Sequence, residues 1–142
     1  MKKTDLAYIA GIIDGEGCIR ITIDGSHYRH SRMYISVAST DQWLIQYLRM
    51  AFDGHIYSKH LEHRKASWEW VLGGESALIF LQAILPYLHL KRPQAEIAIQ
   101  FQERKIKYRN QHHGIGCPKT DKIWAIEQAE SILLSKMKQA KI

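Results

Sequence analysis

Two carboxylates, Asp14 and Glu16, flank a glycine in the segment Ile9-Ala10-Gly11-Ile12-Ile13-Asp14-Gly15-Glu16-Gly17-Cys18. Upstream of them, Thr4 to Asp14 carries helical periodicity. Leu6, Ile9, Ala10 and Ile13 are its apolar set, and Thr4 is a suitable N-cap. Gly15 and Gly17 end the pattern. Both acids therefore fall at a helix C-terminus, where unsatisfied carbonyls already carry partial negative charge. Carboxylates there are unfavourable unless a cation arrives, and magnesium or calcium prefers such hard oxygen ligands. Gly15 lets a backbone carbonyl face the ion. The same residues have a plainer reading, with Asp14 capping neighbouring backbone amides and Glu16 solvated at the surface. The segment has a second property. Ala7, Gly11 and Gly15 recur every four residues, a helix stripe nearly free of side chains, which suits a tight helix–helix contact inside a protein or across a dimer.

Other reactive side chains carry less. His60, Glu62 and His63, or His112 and His113 with Cys117, raise the idea of zinc, but their spacings match no closed structural set. The tryptophans Trp43, Trp68, Trp70 and Trp124 read as core or helix packing. Lys136, Lys138 and Lys141 read as a solvated helix end that could touch phosphate.

The stretches between these residues give the elements that must position them. Cys18 to Asp24 alternates, with Ile19, Ile21 and Ile23 on one face and Arg20, Thr22 and Asp24 on the other, as a half-buried strand does. Gly25-Ser26 starts a turn, and Arg32 to Ala38 alternates again through Met33, Ile35 and Val37. Ser39-Thr40-Asp41 caps a helix whose face is Trp43, Leu44, Tyr47, Leu48 and Phe52. Gly54–His60 and Ala66–Leu72 form a second hairpin with Ile56, Trp68, Trp70 and Leu72 on its apolar face. Gly73-Gly74 breaks the chain before a helix over Glu75–Leu85. After Pro86, Arg92-Pro93-Gln94 opens another helix, with Pro93 in its first turn. A loop over Gly114–Pro118 leads to an amphipathic helix over Ile123–Lys138. The order is αββαββα with a tail.

With 142 residues, 46% of them apolar, the chain is one domain's length and can build a core. Its formal charge of +6 suggests an anionic partner, nucleic acid being the commonest and a membrane surface the alternative. The cysteines, Cys18 and Cys117, make no disulfide framework and fit a reducing compartment. The apolar run between Asp5 and Asp14 is too short for a signal core or a membrane span. A soluble, intracellular protein is expected.

The Ile9–Cys18 segment resembles the LAGLIDADG motif of homing endonucleases and their relatives, with Ile9 and Ile12 in place of leucines and Glu16 where aspartate is commoner. Ile35-Ser36-Val37-Ala38-Ser39-Thr40-Asp41 is similar to the family's second strand running into its next helix. Pro86-Tyr87-Leu88-His89-Leu90-Lys91-Arg92-Pro93-Gln94-Ala95 is similar to a downstream segment in which a lysine opens a helix. The resemblance covers most of the chain. It implies an α+β fold, αββαββα, with a concave antiparallel sheet, helices on one side and an extra C-terminal helix. It implies an endonuclease core over 1–112 and a helical tail over 113–142.

In function, the resemblance implies cleavage of both strands of a long DNA site by metal-dependent phosphodiester hydrolysis. Glu16 and the Gly15 carbonyl would ligate Mg2+, with Mn2+ or Ca2+ as substitutes. Lys91 stands where the family has an active-site lysine, and Ser39 near a water-organising position. Without the resemblance, Lys91 reads as an exposed lysine at a helix start. One motif per chain implies a two-fold homodimer packed through Ala7, Ala10, Gly11 and Asp14, on a pseudo-palindromic site. DNA contacts would come from Arg20, Thr22, Asp24, Arg29, His30, Arg32, Tyr34 and Ser36, and from Tyr57, Lys59, His63, Arg64, Lys65, Ser67 and Glu69; simple solvation of a strand's polar face is the alternative. Relatives of other function remain as rivals: an RNA-binding intron maturase, or a DNA-binding regulator without activity. Glu16 and Lys91, both intact, favour the nuclease, since binding alone needs neither.

Overall fold

The computed structural model describes residues 1–25, 29–111 and 119–139. The turn at Ser26, the histidines His112 and His113, the loop Gly114–Pro118 with Cys117, the 112/113 boundary and Lys141 lie outside the described residues. In chain order the elements are α1 (Lys3–Glu16), β1 (Gly17–Asp24), β2 (His30–Ser39), α2 (Gln42–Phe52), β3 (His55–Lys59), β4 (Ser67–Gly73), α3 (Gly74–Ile84), a 3-10 turn (Leu85–Tyr87), α4 (Arg92–Gln111) and α5 (Asp121–Gln139). The expected αββαββα order is present through α3, followed by α4 and the C-terminal helix α5. Among the described residues no helix is long and apolar enough to cross a membrane.

The strands form one antiparallel sheet in the order β1-β2-β4-β3. Strand alternation sends Ile19, Ile21, Met33, Ile35, Val37, Trp70 and Leu72 to the helical side, where they are buried. They meet Ile9, Ala10 and Ile13 of α1, Ile45 and Leu48 of α2, Ala77, Phe80, Leu81 and Ile84 of α3, Ala95, Ala98 and Phe101 of α4, and Leu134 of α5. Phe80 stands edge-on to Phe52 at 4.6 Å and to Trp70 at 5.5 Å. Trp70 also donates its Nε1–H to the Asp53 carbonyl at 2.7 Å. Truncating Phe80 to alanine removes the middle of this cluster, a change that typically costs ~3–5 kcal/mol. Of the tryptophans assigned to packing, Trp70 is fully buried, but Trp43 is 63% exposed and stacks on Tyr47 at 5.3 Å.

Three boundaries explain how the helices aim at the sheet. α1 winds on beyond Asp14 to Glu16, because the Gly17 amide still donates to the Ile13 carbonyl. A Cβ at residue 17 would lie 2.7 Å from that carbonyl oxygen, so only glycine lets the helix pass straight into β1. α2 starts as expected: the Asp41 carboxylate accepts the Trp43 amide at 3.0 Å, and Ser39 Oγ accepts the Asp41 amide at 3.0 Å. It ends on Asp53 and Gly54, both at positive φ, with Gly54 pressed against the Val71 carbonyl and the Trp70 indole.

Candidate active site and nucleic-acid face

Asp14 and Lys91 hold each other's elements. The Asp14 carboxylate accepts the His89 amide at 2.9 Å through Oδ2 and the Lys91 amide at 2.9 Å through Oδ1. Lys91 Nζ donates back to the Ile13 and Asp14 carbonyls, each at 2.9 Å. An ammonium is thus placed on the C-terminal carbonyls of α1, where the helix dipole favours positive charge. Lys91 is only 6% exposed, so the reading of it as an exposed lysine does not hold. Asp14 follows the plainer reading offered for it, the capping of backbone amides, although those amides belong to the approach to α4.

Gly15 and Glu16 remain exposed at the same helix end, and no atom lies within 4 Å of where a Gly15 Cβ would be. With both Asp14 oxygens already accepting amides, the free protein oxygens at the tip are the Glu16 carboxylate and the backbone carbonyls beside it. Among the described residues no group of three or more His, Cys, Asp or Glu could hold a metal ion. A Glu16–Gly15 pair suits a hard cation that takes its other oxygens from water and phosphate.

Next to this tip is a cavity of about 270 Å3 lined by Gly17, Cys18, Lys91, Gln94 and Lys138. Gln94 is 3% exposed, and its Oε1 has no hydrogen-bond partner among the described residues. Sequence reasoning named neither Gln94 nor Cys18 for the site. The available signal for Gln94 was its position three residues after Lys91, which puts both on one helix face. Lys138, read as a solvated tail lysine, is half-buried here. Ser39 ends β2 just beyond Val37, the partner of Gly17, so it lies at the same sheet end as the α1 tip. Its hydroxyl oxygen is engaged in starting α2.

Most of the expected DNA-contacting residues share the sheet face opposite the helices. Register pairs Arg20 with Tyr34, Thr22 with Arg32 and Asp24 with His30; Ser36 follows on β2, and Tyr57, Lys59, Ser67 and Glu69 continue the face on β3 and β4. Ser36 is buried within it. His63, Arg64 and Lys65 are exposed in the β3–β4 loop. Arg29 stands apart: its guanidinium pairs with Asp121 at 2.9 Å and with the Lys119 carbonyl at 3.1 Å.

Beyond Arg29, a polar cluster fastens β2 to α5. Glu127 Oε2 accepts Ser31 Oγ at 2.6 Å and Lys119 Nζ at 2.7 Å, while Lys105 Nζ donates to the Ser31 carbonyl. Burial holds the Lys105 ammonium below the usual lysine range; Lys119, Arg32 and Arg109 push the same way, and Glu127 opposes them. Burial raises the Glu130 carboxyl, against the pull of Arg104, with which it forms a two-bond pair at 2.6 and 2.9 Å.

On α1 the exposed stripe is Ala7, Gly11 and Gly15, flanked by the exposed Tyr8. Ala10 is wholly buried and Asp14 is 9% exposed, both against their own chain. The structure therefore turns Ala10 and Asp14, grouped with the dimer contacts from sequence, inward. They lie on the core-facing flank of the stripe, each one residue before a stripe glycine and so about 100° around the helix from it.

No family model matches the sequence, and no curated protein matches it. Solved structures do. The homing endonuclease I-CvuI, in complex with the I-CreI target DNA in the presence of magnesium, superposes with a TM-score of 0.75 at 18% identity, over 98% of this chain and 85% of that one. The archaeal intron-encoded homing endonuclease I-Vdi141I, complexed with DNA, gives 0.66 at 13% identity over 99% and 100%. The LAGLIDADG homing endonuclease I-SmaMI, bound to cleaved DNA, gives 0.62 at 16% identity, over 87% of this chain and 48% of that longer one. With near-complete coverage and the same order of helices and antiparallel strands, the chain has the LAGLIDADG homing-endonuclease fold.

Proposed function

We propose that this protein is a site-specific DNA endonuclease that cuts both strands as a homodimer, using a hard divalent cation held at Glu16 and the Gly15 carbonyl. The observation that carries the reading is the α1 tip, where an exposed carboxylate and a fixed lysine ammonium meet at one helix end beside a polar sheet face. The DNA carried by the I-CvuI, I-Vdi141I and I-SmaMI structures supports the substrate class, and the magnesium with I-CvuI supports the ion. A bound cation would supply an activated water and stabilise the leaving oxygen. Within the chain, Glu16 presents negative charge to that ion. Lys91, held by two carbonyls, keeps a positive charge near the phosphate where transition-state charge develops.

Symmetry and space support the dimer. One chain offers one such tip, whereas two strands need two. The sites at Gly11 and Gly15 where Cβ atoms would stand are open, so a second α1 can approach closely about a two-fold axis. Tyr8, Tyr47 and Trp43 extend the open surface beside the stripe as a ledge, with Tyr8 edge-on to Tyr47 at 6.2 Å.

The test is incubation of the full chain with a randomised duplex library and Mg2+, followed by sequencing of cut ends. Paired cuts at a defined motif are expected, abolished by chelation and, in Glu16→Gln, reduced to background while binding of the motif persists. Enrichment of bound duplexes without cutting by the wild type would make the protein a DNA-binding regulator. Undiminished cutting by pure Glu16→Gln would remove Glu16 from the ion site.

A further inference from the structure

On the β1–β2 side of the polar sheet face, two arginines stand against one tyrosine. Arg20 of β1 pairs in register with Tyr34 of β2, and Arg32 stands two residues before Tyr34 on the same strand face. The guanidinium carbons lie 5.7 Å (Arg20) and 5.0 Å (Arg32) from the Tyr34 ring centroid, within cation–π range. On the other flank Tyr34 pairs with Gly73 of β4. A Cβ there would sit 3.0 Å from the ring and 3.4 Å from Arg32 Nε, so glycine gives the stack its room.

Neither guanidinium has a hydrogen bond or ion pair among the described residues, and Arg20 Nε is buried with no partner. A buried donor left unmade is costly, and the more so where positive charge is concentrated. Arg32 is close enough to Lys105 to help depress its ammonium, and the two line one open pocket of about 410 Å3 with Thr22, Asp24, His30 and Tyr34. The free protein thus holds unsatisfied donors and mutual repulsion that a polyanion with acceptors would relieve.

We propose that Arg20 and Arg32 are specificity-determining residues, each reading a guanine, with Tyr34 holding both planes ready. The proposal rests on the DNA-cutting function above and names what this part of its site recognises. A guanidinium is a flat fork of donors, and guanine is the base that offers two major-groove acceptors, O6 and N7, to such a fork. Stacking on a ring removes rotamer freedom before binding, so less is lost on contact. A phosphate contact needs no fixed plane. Lys59, Arg64 and Lys65, on β3 and in the β3–β4 loop without such a stack, suit that role better. Diagonal neighbours on paired strands are ~7–8 Å apart, and base pairs rise ~3.4 Å per step. The two guanines therefore lie within about two base-pair steps of each other in each half-site.

The experiment selects bound duplexes from a randomised library, with Ca2+ replacing Mg2+ so that binding is read without cutting. The wild-type motif should carry two G·C pairs of that spacing in each half-site. Arg20→Ala should relax one of them and Arg32→Ala the other, each by about 5- to 150-fold in preference, with the rest of the motif kept. Arg20→Lys should keep a weakened preference at the same position, because an ammonium still donates to O6 or N7 but lacks the fixed planar fork that stacks on Tyr34. Tyr34→Leu should weaken preference at both positions together. If instead Arg20→Ala and Arg32→Ala weaken all sequences alike and lower the salt slope by about one, while Arg20→Lys behaves as wild type, the residues hold phosphates and the proposal fails. A motif whose G·C pairs ignore both variants overturns it equally. No enriched duplex at all would overturn the DNA-cutting function, and this proposal with it.

Discussion

At the scale of single residues, the two charged groups at the α1 tip differ in kind. Glu16 is exposed and contributes nothing visible to the fold, whereas Lys91 is buried with its ammonium on two backbone carbonyls. With Lys91 serving both the proposed chemistry and the end of α1, Lys91→Met should impair cutting and fold together. Cutting should fall by about 10²–10³, by analogy with loss of one transition-state donor. Stability should also fall, by ~1–3 kcal/mol, because two carbonyls at the end of α1 lose their donor. Single-turnover cleavage and a thermal melt of the same preparation check the pair. Wild-type cleavage would remove the lysine from the chemistry, and an unchanged melting temperature would show that water replaces it as a cap.

At the scale of elements, periodicity served well where packing follows period. β1, β2, β4 and α2 lie within two residues of their expected ends, since alternating isoleucines and an Asx cap are local signals. What escaped was tertiary. Ala10 fits both the apolar set of α1 and the small-residue contact expected of a dimer; the sheet decides between them, burying Ala10 and leaving Gly11 open. Gln94 reads as an ordinary helix-start amide until α5 closes a cavity over it. The Arg20–Tyr34–Arg32 stack needs the β1–β2 register, which alternation suggests but does not fix. The open stripe gives a prediction at this scale. A Cβ at residue 11 meets no neighbouring element within 4 Å and the position is exposed, so Gly11→Leu should keep its helical circular dichroism and melt cooperatively. Light scattering should find it monomeric, and double-strand cutting should be lost. A dimeric, active Gly11→Leu would move the interface elsewhere.

At the scale of the whole molecule, the final helix is bound to the sheet by charge as well as by apolar contact. Ser31, Lys105, Lys119 and Glu127 tie β2 to α4 and α5, and Arg104 with Glu130 ties α4 to α5. The tail should therefore melt together with the core it covers. Lys105 gives this a pH signature. Its folded value lies below the usual 10.5, so between the two values the unfolded chain holds a proton that the native one has released. Stability contributed by this group therefore rises with pH across that interval, and below it the buried ammonium carries a constant cost. Lys105→Met removes the dependence. The melting-temperature difference between wild type and variant should move in favour of the wild type as pH approaches 10.5. A difference flat in pH would show that Lys105 titrates normally.

The lock between Asp14 and Lys91 bears on how such proteins drift through time. Selection for a folded chain preserves Lys91 whether or not DNA is ever cut, because α1 and the approach to α4 lean on it. A descendant that had lost its nuclease and survived as a repressor would still inherit the lysine. Glu16 has no such second employment, and substitutions would accumulate there first. On the proposed reading, the glutamate, not the lysine, is the residue whose persistence in a lineage would record continuing catalysis.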